Sequence, residues 1–267
     1  MASSWITGLI TGLADAGVDV RNADLLIGTS SGARVALQLA CGTPLEEVFA
    51  RQIAAAPHVG SQTAAVDWGR LQRDVARAKE LGGGRAEILR RMGQLALGLG
   101  GPDRRALVAT QLPVEEWAER PVRLIALNAE TGVRRAFDRT SGIDLVDAVT
   151  ATTASFGTAP VWFEGQPYID GGYYSGDNAD LAAGYGRVLV LTLQAPPWAM
   201  RLVPLEDGIA ELRASGATVE VIQPDEEAME VIASAGSPTN PAVFEPVTRA
   251  GRAQGRRVVA QRGTGWW

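Results

Sequence analysis

A serine stands between two glycines in the stretch LLIGTSSGARVALQLA, residues 25–40. The five residues from Gly28 to Gly32 fit the pattern G-x-S-x-G, in which a serine occupies a sharp turn between a buried strand and a helix. Apolar residues precede the motif and a helical pattern follows it, as this turn requires. The sequence therefore predicts that Ser30 has a strained backbone and that its hydroxyl projects above a sheet as a nucleophile.

The residues around Ser30 have separate predicted roles. Gly28 and Gly32 lack side chains, which lets the strand and the helix approach each other. The backbone N–H groups that open the helix, that of Ser31 above all, can stabilise an anion beside the hydroxyl. The same turn could instead be an ordinary glycine-rich loop, or a phosphate-contacting loop of a nucleotide-binding fold. The second alternative is weaker because the sequence lacks the G-x-G-x-x-G spacing and the P-loop lysine.

A hydroxyl nucleophile needs a base, and the histidine count restricts the choice. The single histidine, His58, comes too early for the order Ser, Asp or Glu, then His that α/β-hydrolases use. Asp170 is the better candidate because it ends an apolar segment and is followed by Gly171 and Gly172, where the chain can turn at once. The carboxyl ends of parallel strands meet at one sheet edge. Ser30 and Asp170 are therefore predicted to form a dyad in which the carboxylate takes the serine proton.

Length and composition limit the class of protein. With 267 residues, 46% of them hydrophobic, the chain can form one large core, and we expect a single domain over residues 1–267. The net charge of -5 argues against a nucleic-acid surface. The one cysteine, Cys41, excludes an intramolecular disulfide and a multi-cysteine metal site, and its apolar flank predicts a buried thiol. The sequence shows no long apolar run and no leader pattern, so a cytoplasmic location is expected.

Strand and helix patterns alternate along the chain. Residues 44–118 are predicted to be mostly helical and to form a cap beside the sheet. The other predicted helices are 3–16, 31–40, 143–154 and about 241–261, and the predicted strands are 24–28, 122–130, 133–139, 166–170, 187–193 and 217–223. This alternation predicts an α/β fold with a mostly parallel central sheet and helices on both faces.

The motifs resemble those of the patatin-like phospholipase family, in its bacterial, actinobacterial-type branch. The resemblance covers nearly the whole chain and rests on GLITGLADAGVDVRNADLLIGTSSGARVA, DLVDAVTATTA with Pro160 downstream, YIDGG and FEPVTRAGRAQGRRV. It implies a three-layer α/β/α fold and lipid acyl hydrolysis through an acyl-enzyme, with Ser30 as nucleophile and Asp170 as base. It also implies no metal or organic cofactor and a lipid or phospholipid ester as substrate. Peripheral membrane contact and the oligomeric state stay open.

Two features depart from the family pattern. The family has a strand and a glycine-rich oxyanion loop before the helix that WITGLITGLADAG resembles, whereas four residues precede Trp5 here. We expect that the true start of the protein lies further upstream. The alternatives are an impaired paralogue that binds lipid or a partner, and oxyanion donors supplied by another segment. The Ser31 N–H is the candidate oxyanion donor still present. A gap or a new edge in the sheet is also expected. Asn178 follows D-G-G as in the family, but Asp180 replaces the usual proline, and Asn178 is expected to cap or support the loop.

Overall fold

The computed structural model describes residues 1–54, 67–112, 114–193, 201–234 and 241–265. Its helices are α1 (Ala2–Asp15), α2 (Ser31–Ala40), α3 (Leu45–Ala54), α4 (Trp68–Glu80), α5 (Arg85–Leu99), α6 (Arg105–Gln111), α7 (Leu145–Thr152), α8 (Leu205–Ala214), α9 (Glu226–Ser234) and α10 (Phe244–Arg262). Its strands are β1 (Leu26–Thr29), β2 (Val122–Asn128), β3 (Arg134–Phe137), β4 (Val161–Phe163), β5 (Gln166–Asp170), β6 (Arg187–Leu191) and β7 (Thr218–Ile222). The predicted α/β class is confirmed, and the segment predicted to be helical carries α3 to α6.

The strands in the described ranges form two sheets. In the larger sheet, β1 pairs with β2 in parallel, β3 and β5 each pair with β2 in the antiparallel sense, and β4 pairs antiparallel with β5. β6 and β7 form a separate parallel pair. The sheet is therefore mixed: the expected parallel pairing holds at β1–β2 and β6–β7, whereas the pairs that involve β3, β4 and β5 run antiparallel. Short connections impose this direction on β2–β3 and on β4–β5, because two neighbouring strands joined by a tight turn must run in opposite senses.

Helices cover both faces of the sheets. Alternate residues of a strand point to opposite faces, and on β2 Leu124 packs with α2, α6 and α7 while Leu127 packs with α4 and α5. On β6, Val190 packs towards α8 and Leu189 towards α1 and α10. This arrangement is the three-layer α/β/α architecture that the family resemblance implies.

β1 and β6 are edge strands within the described part of the chain. β1 pairs with β2 alone and β6 with β7 alone. Side chains from both strands nevertheless enter the same two hydrophobic clusters, Leu26 together with Leu189 and Ile27 together with Val190. The two sheets thus share their cores without pairing their edges.

α1 and α10 pack at backbone contact distance. A Cβ added at Gly8 or Gly12 of α1 would overlap a carbonyl oxygen of α10, and one added at Gly251 or Gly255 would overlap a carbonyl oxygen of α1. Only glycine permits such an approach. Buried polar groups join the same pair of helices, since Nε1 of Trp5 donates to Oε1 of Gln254 at 2.7 Å. The resulting helix pair forms one wall of the core against which α2 packs.

Candidate active site

Ser30 lies at the turn between β1 and α2, as predicted. The strand ends at Thr29 and the helix begins at Ser31, and between them Ser30 has φ 52° and ψ -125°, a conformation that residues with a side chain rarely adopt. The Ser30 N–H donates to Oγ1 of Thr152 at 3.0 Å, and its carbonyl oxygen accepts from the Ala33 N–H at 3.0 Å. A strained serine held by hydrogen bonds on both sides has the geometry of a nucleophile elbow.

The two glycines of the motif differ in what they permit. A Cβ at Gly28 would lie 2.5 Å from Cα of Ala33 and 3.0 Å from Cβ of Ala36, so β1 and α2 do approach as closely as predicted. A Cβ at Gly32 would meet nothing within 4 Å. The prediction that Gly32 is needed for this close approach is therefore wrong. Gly32 lies in the first turn of α2, and the position of its missing side chain is open space.

The start of α2 provides backbone donors next to the serine. Among the described residues, the N–H groups of Ser31 and Gly32 have no hydrogen-bond acceptor, as is usual in the first turn of a helix. The helix dipole places partial positive charge at the same end. These two groups can therefore donate hydrogen bonds to an oxyanion that forms beside Ser30.

Asp170 reaches the same level of the sheet from the opposite direction. It is the last residue of β5, where it pairs with Ala126 of β2, one position beyond the pairing of Thr29 with Ile125. β3 pairs with the other edge of β2 at residues 124–127, so β1 and β5 meet end to end along one edge, and Ser30, which follows Thr29, lies beside Asp170 at the same level. The prediction that both residues come from the carboxyl edge of parallel strands is wrong in its geometry, because β5 runs antiparallel to β2. The predicted proximity of the pair holds nevertheless.

The glycines after Asp170 hold its carboxylate in a tight turn. Asp170 is 7% exposed and caps a single 3-10 turn over Gly171–Tyr173, where the Gly172 N–H donates to its Oδ1 at 2.8 Å. A Cβ at Gly171 would overlap the carbonyl oxygen of Ile125, so only glycine lets this turn pack on β2. The chain therefore turns at Gly171 and Gly172 directly after Asp170, where the sequence predicts a turn.

The Ser30 hydroxyl faces the Asp170 carboxyl group and acts on it as a hydrogen-bond donor. Burial raises the pKa of Asp170 to about 6, against the opposing effects of the Ser30 hydroxyl, the Gly172 N–H and the charges of Arg201 and Arg104. A carboxylate with such a pKa is a better proton acceptor than an exposed one and is still largely ionised at neutral pH.

The end of α7 connects the serine to the aspartate. Oγ1 of Thr152 accepts from the Ser30 N–H and donates to the carbonyl oxygen of Ile125 at 2.6 Å, and the carbonyl oxygen of Ala154 accepts from the Asp170 N–H at 3.0 Å. Sequence reasoning missed Thr152. A weak signal was present, since several threonines end an otherwise apolar helix in the stretch AVTATTA, and buried hydroxyls need partners.

Asn178 fixes the loop that follows the aspartate. Its side chain is fully buried, and Nδ2 donates to Oγ1 of Thr29 at 3.0 Å and to the carbonyl oxygen of Ser175 at 2.7 Å. Its Oδ1 accepts from Nη1 of Arg134 at 2.9 Å, and Arg134 also forms an ion pair with Asp180. These contacts agree with loop support, whereas the side chain caps no helix. Asp180, where the family has a proline, thus helps to hold the loop.

Two other residues considered in the sequence are not part of this geometry. His58 lies outside the described residues. Cys41 is half-buried rather than buried, because it follows the last turn of α2, and burial raises the pKa of its thiol, which disfavours the reactive thiolate. The described residues contain no group of three or more histidine, cysteine, aspartate or glutamate side chains arranged to hold a metal ion.

Comparison with known proteins identifies the family. The model of the patatin-like phospholipase family matches residues 2–183, a range that includes both Ser30 and Asp170. No curated protein matches the chain significantly. Within the described ranges no helix combines the length and the hydropathy needed to cross a bilayer. The family consists of lipid acyl hydrolases, and because its model matches well over half of the chain, this protein belongs to the patatin-like phospholipase family.

Proposed function

We propose that this protein hydrolyses carboxylic esters of lipids with Ser30 as nucleophile and Asp170 as base. The proposal depends on one observation: a serine in a strained turn faces a buried carboxyl group whose pKa is raised to about 6. A serine hydroxyl is a weak nucleophile unless a base lies within reach of its proton. Membership of the patatin-like phospholipase family supports a lipid ester as substrate.

The reaction follows from these contacts in two stages. Oγ of Ser30 attacks the ester carbonyl carbon while Asp170 takes its proton, and the N–H groups of Ser31 and Gly32 stabilise the charge on the carbonyl oxygen. Asp170 then gives the proton to the departing alcohol, which leaves an acyl group on Ser30. A water molecule that loses a proton to Asp170 attacks this acyl-enzyme, and the fatty acid is released as Ser30 regains its proton.

Labelling and kinetics test the proposal together. A fluorophosphonate probe is expected to form an adduct on Ser30, located by mass spectrometry of the digested protein. Hydrolysis of p-nitrophenyl butyrate is expected to fall by about a hundredfold or more in Ser30→Ala and in Asp170→Asn. Ser234→Ala and Asp24→Asn, both at exposed positions, are the matched controls and should keep the rate of the unmodified chain.

The same experiments address the two alternatives. A folded chain that forms no adduct and hydrolyses no ester would contradict the proposal. Binding of phospholipid vesicles by that inactive chain would favour a lipid-binding or interaction protein. Thermal stabilisation by a nucleotide, lost when Ser30 is replaced, would instead favour a phosphate-contacting turn.

A further inference from the structure

Arg104 and Arg34 extend a cluster of positive charge from the dyad, since the charge of Arg104 acts both on Asp170 and on Arg34. Arg34 is on α2, one helical turn after Ser30, and its Nη1 donates to Oε1 of Gln111 at 2.6 Å. Arg104 directly precedes α6, and its Nη1 reaches the carbonyl oxygen of Thr153 at 3.4 Å. Neither arginine forms an ion pair with an aspartate or glutamate of the described residues. The remaining stretches of the sequence contain no acidic side chain.

The loop after α7 places Arg104 next to the reacting groups. In residues 152–154, the Thr152 hydroxyl oxygen accepts from the Ser30 N–H and the Thr153 carbonyl oxygen accepts from Arg104. The carbonyl oxygen of the next residue, Ala154, accepts from the Asp170 N–H. Three consecutive residues thus contact the serine, the arginine and the aspartate. Gln111, which accepts from Arg34, is at the opposite end of α6 from Arg104, but the charge of Arg104 still acts on Arg34.

The charges of the two arginines are poorly compensated. Both side chains are half-buried. Burial and the charge of Arg104 lower the pKa of Arg34; burial also lowers the pKa of Arg104, while Asp170 raises it. Arg252, by contrast, is half-buried and forms ion pairs with two carboxylates. A partly desolvated guanidinium without such a partner costs free energy that a bound anion would offset.

We propose that Arg34 and Arg104 form an anion subsite that binds a phosphate group of the ester substrate. This inference rests on the proposed function, since it names the substrate class of the same site. The planar guanidinium matches phosphate oxygens in a two-point contact. Arg34 follows Ser30 by one turn of α2, so both side chains lie on the same face of the helix. The subsite selects phospholipid esters over uncharged glycerides.

The kinetic test compares two short-chain esters below their micelle concentrations, dihexanoylphosphatidylcholine and dihexanoylglycerol. The unmodified chain is expected to prefer the phospholipid in kcat/KM. Arg34→Gln and Arg104→Gln should each reduce this preference about tenfold or more, because each removes a charged hydrogen-bond donor. Arg187→Gln, at an exposed position, is the matched control and should keep the preference. Arg34→Lys and Arg104→Lys keep the positive charge and should retain part of the preference for the phospholipid. They therefore distinguish the effect of the charge from the effect of side-chain packing.

The binding test does not depend on hydrolysis. It uses Ser30→Ala protein, with cooperative melting as the check on folding, and calorimetric titration with dihexanoylphosphatidylcholine. Adding Arg104→Gln should weaken binding about tenfold. Competition by inorganic phosphate would show that the phosphate group alone occupies the subsite, whereas binding without such competition would show that the lipid must present it; both results support the subsite.

The two proposals fail in different ways. If both arginine variants are folded and neither the substrate preference nor the binding changes, the subsite is overturned while Ser30 and Asp170 keep their proposed roles. If binding depends on the arginines but the unmodified chain hydrolyses no ester, the hydrolase proposal fails and the anion subsite stands.

Discussion

The Ser30 N–H donates to the Thr152 hydroxyl oxygen at 3.0 Å across a separation of 122 residues. The Thr152 hydroxyl, fully buried, donates in turn to the carbonyl oxygen of Ile125 in β2 at 2.6 Å. One side chain therefore fixes the turn between β1 and α2 to the central strand. The strained backbone of Ser30 is maintained by a contact from outside the turn, as such strain requires.

Replacing Thr152 by valine is expected to lower kcat for ester hydrolysis by about tenfold to a hundredfold. Valine has nearly the same shape but can neither accept from the Ser30 N–H nor donate to the Ile125 carbonyl, so two buried groups lose their partner. Thr152→Ser keeps the hydroxyl and is the matched control, which should retain most of the activity. Equal losses in both variants would show that the methyl group matters rather than the hydrogen bonds.

Ester hydrolysis is expected to decline as the pH falls through about 6, because Asp170 must be ionised to accept the Ser30 proton and burial raises its pKa to about 6. Below that pH, kcat/KM should drop about tenfold per pH unit, and it should be constant above about pH 7. The profile is measured with a neutral ester over a range in which the protein stays folded. A midpoint near 4, the ordinary value for aspartate, would contradict the effect of burial.

The same pKa makes Asp170 a source of instability at neutral pH. Its folded pKa lies above the unfolded value, so its contribution to stability is complete below about pH 4 and is lost as the pH rises through about 6. The amide side chain of Asp170→Asn does not titrate, so this variant has no such loss of stability as the pH rises. Its free energy of unfolding relative to the unmodified chain should therefore increase between about pH 4 and 7, by on the order of 2 kcal/mol.

Urea unfolding at several pH values measures this difference, with Asp24→Asn, at an exposed position, as the matched control. Together with lost hydrolysis, a more stable Asp170→Asn would mean that the buried carboxylate is kept for function at the expense of stability. A difference that stays constant across this pH range would contradict the raised pKa.

The elements that hold Ser30 could be predicted because their signals are local. The apolar run predicts a strand at 24–28, observed at Leu26–Thr29, and the helical pattern predicts 31–40, observed at Ser31–Ala40. The strained conformation of Ser30 follows from the motif itself, since the chain must reverse between a strand and a helix within one residue.

The direction of β5 could not be predicted in the same way. Its alternation of residues is the same in parallel and antiparallel pairing, so the pattern carries no direction. The short connection from β4 makes β5 antiparallel to β4, because Glu164 and Gly165 both have positive φ, as a two-residue hairpin turn requires. A glutamate in that conformation is uncommon, which explains why the hairpin was missed. The direction of β5 relative to β2 depends on pairing between strands that are distant in sequence. Arg34 and Arg104 were missed because their neighbours are distant in sequence.

Gly28→Ala and Gly32→Ala are expected to have opposite effects on stability. At Gly28 the new methyl group would lie 2.5 Å from Cα of Ala33, a backbone atom that moves only if α2 moves, so the free energy of unfolding should fall by about 1–3 kcal/mol or more. At Gly32 the methyl group meets nothing within 4 Å, and alanine is favoured over glycine in a helix by about 1 kcal/mol. Stability should therefore hold or rise there.

The activity of Gly32→Ala gives the second half of this prediction. Its methyl group would meet nothing within 4 Å, the side chains of Ser30 and Arg34 included, so KM for dihexanoylphosphatidylcholine and for p-nitrophenyl acetate should stay close to that of the unmodified chain. Urea unfolding and steady-state kinetics on the two variants measure both halves. If Gly32→Ala loses as much stability as Gly28→Ala, the first turn of α2 is packed against other residues and the open space at Gly32 does not exist.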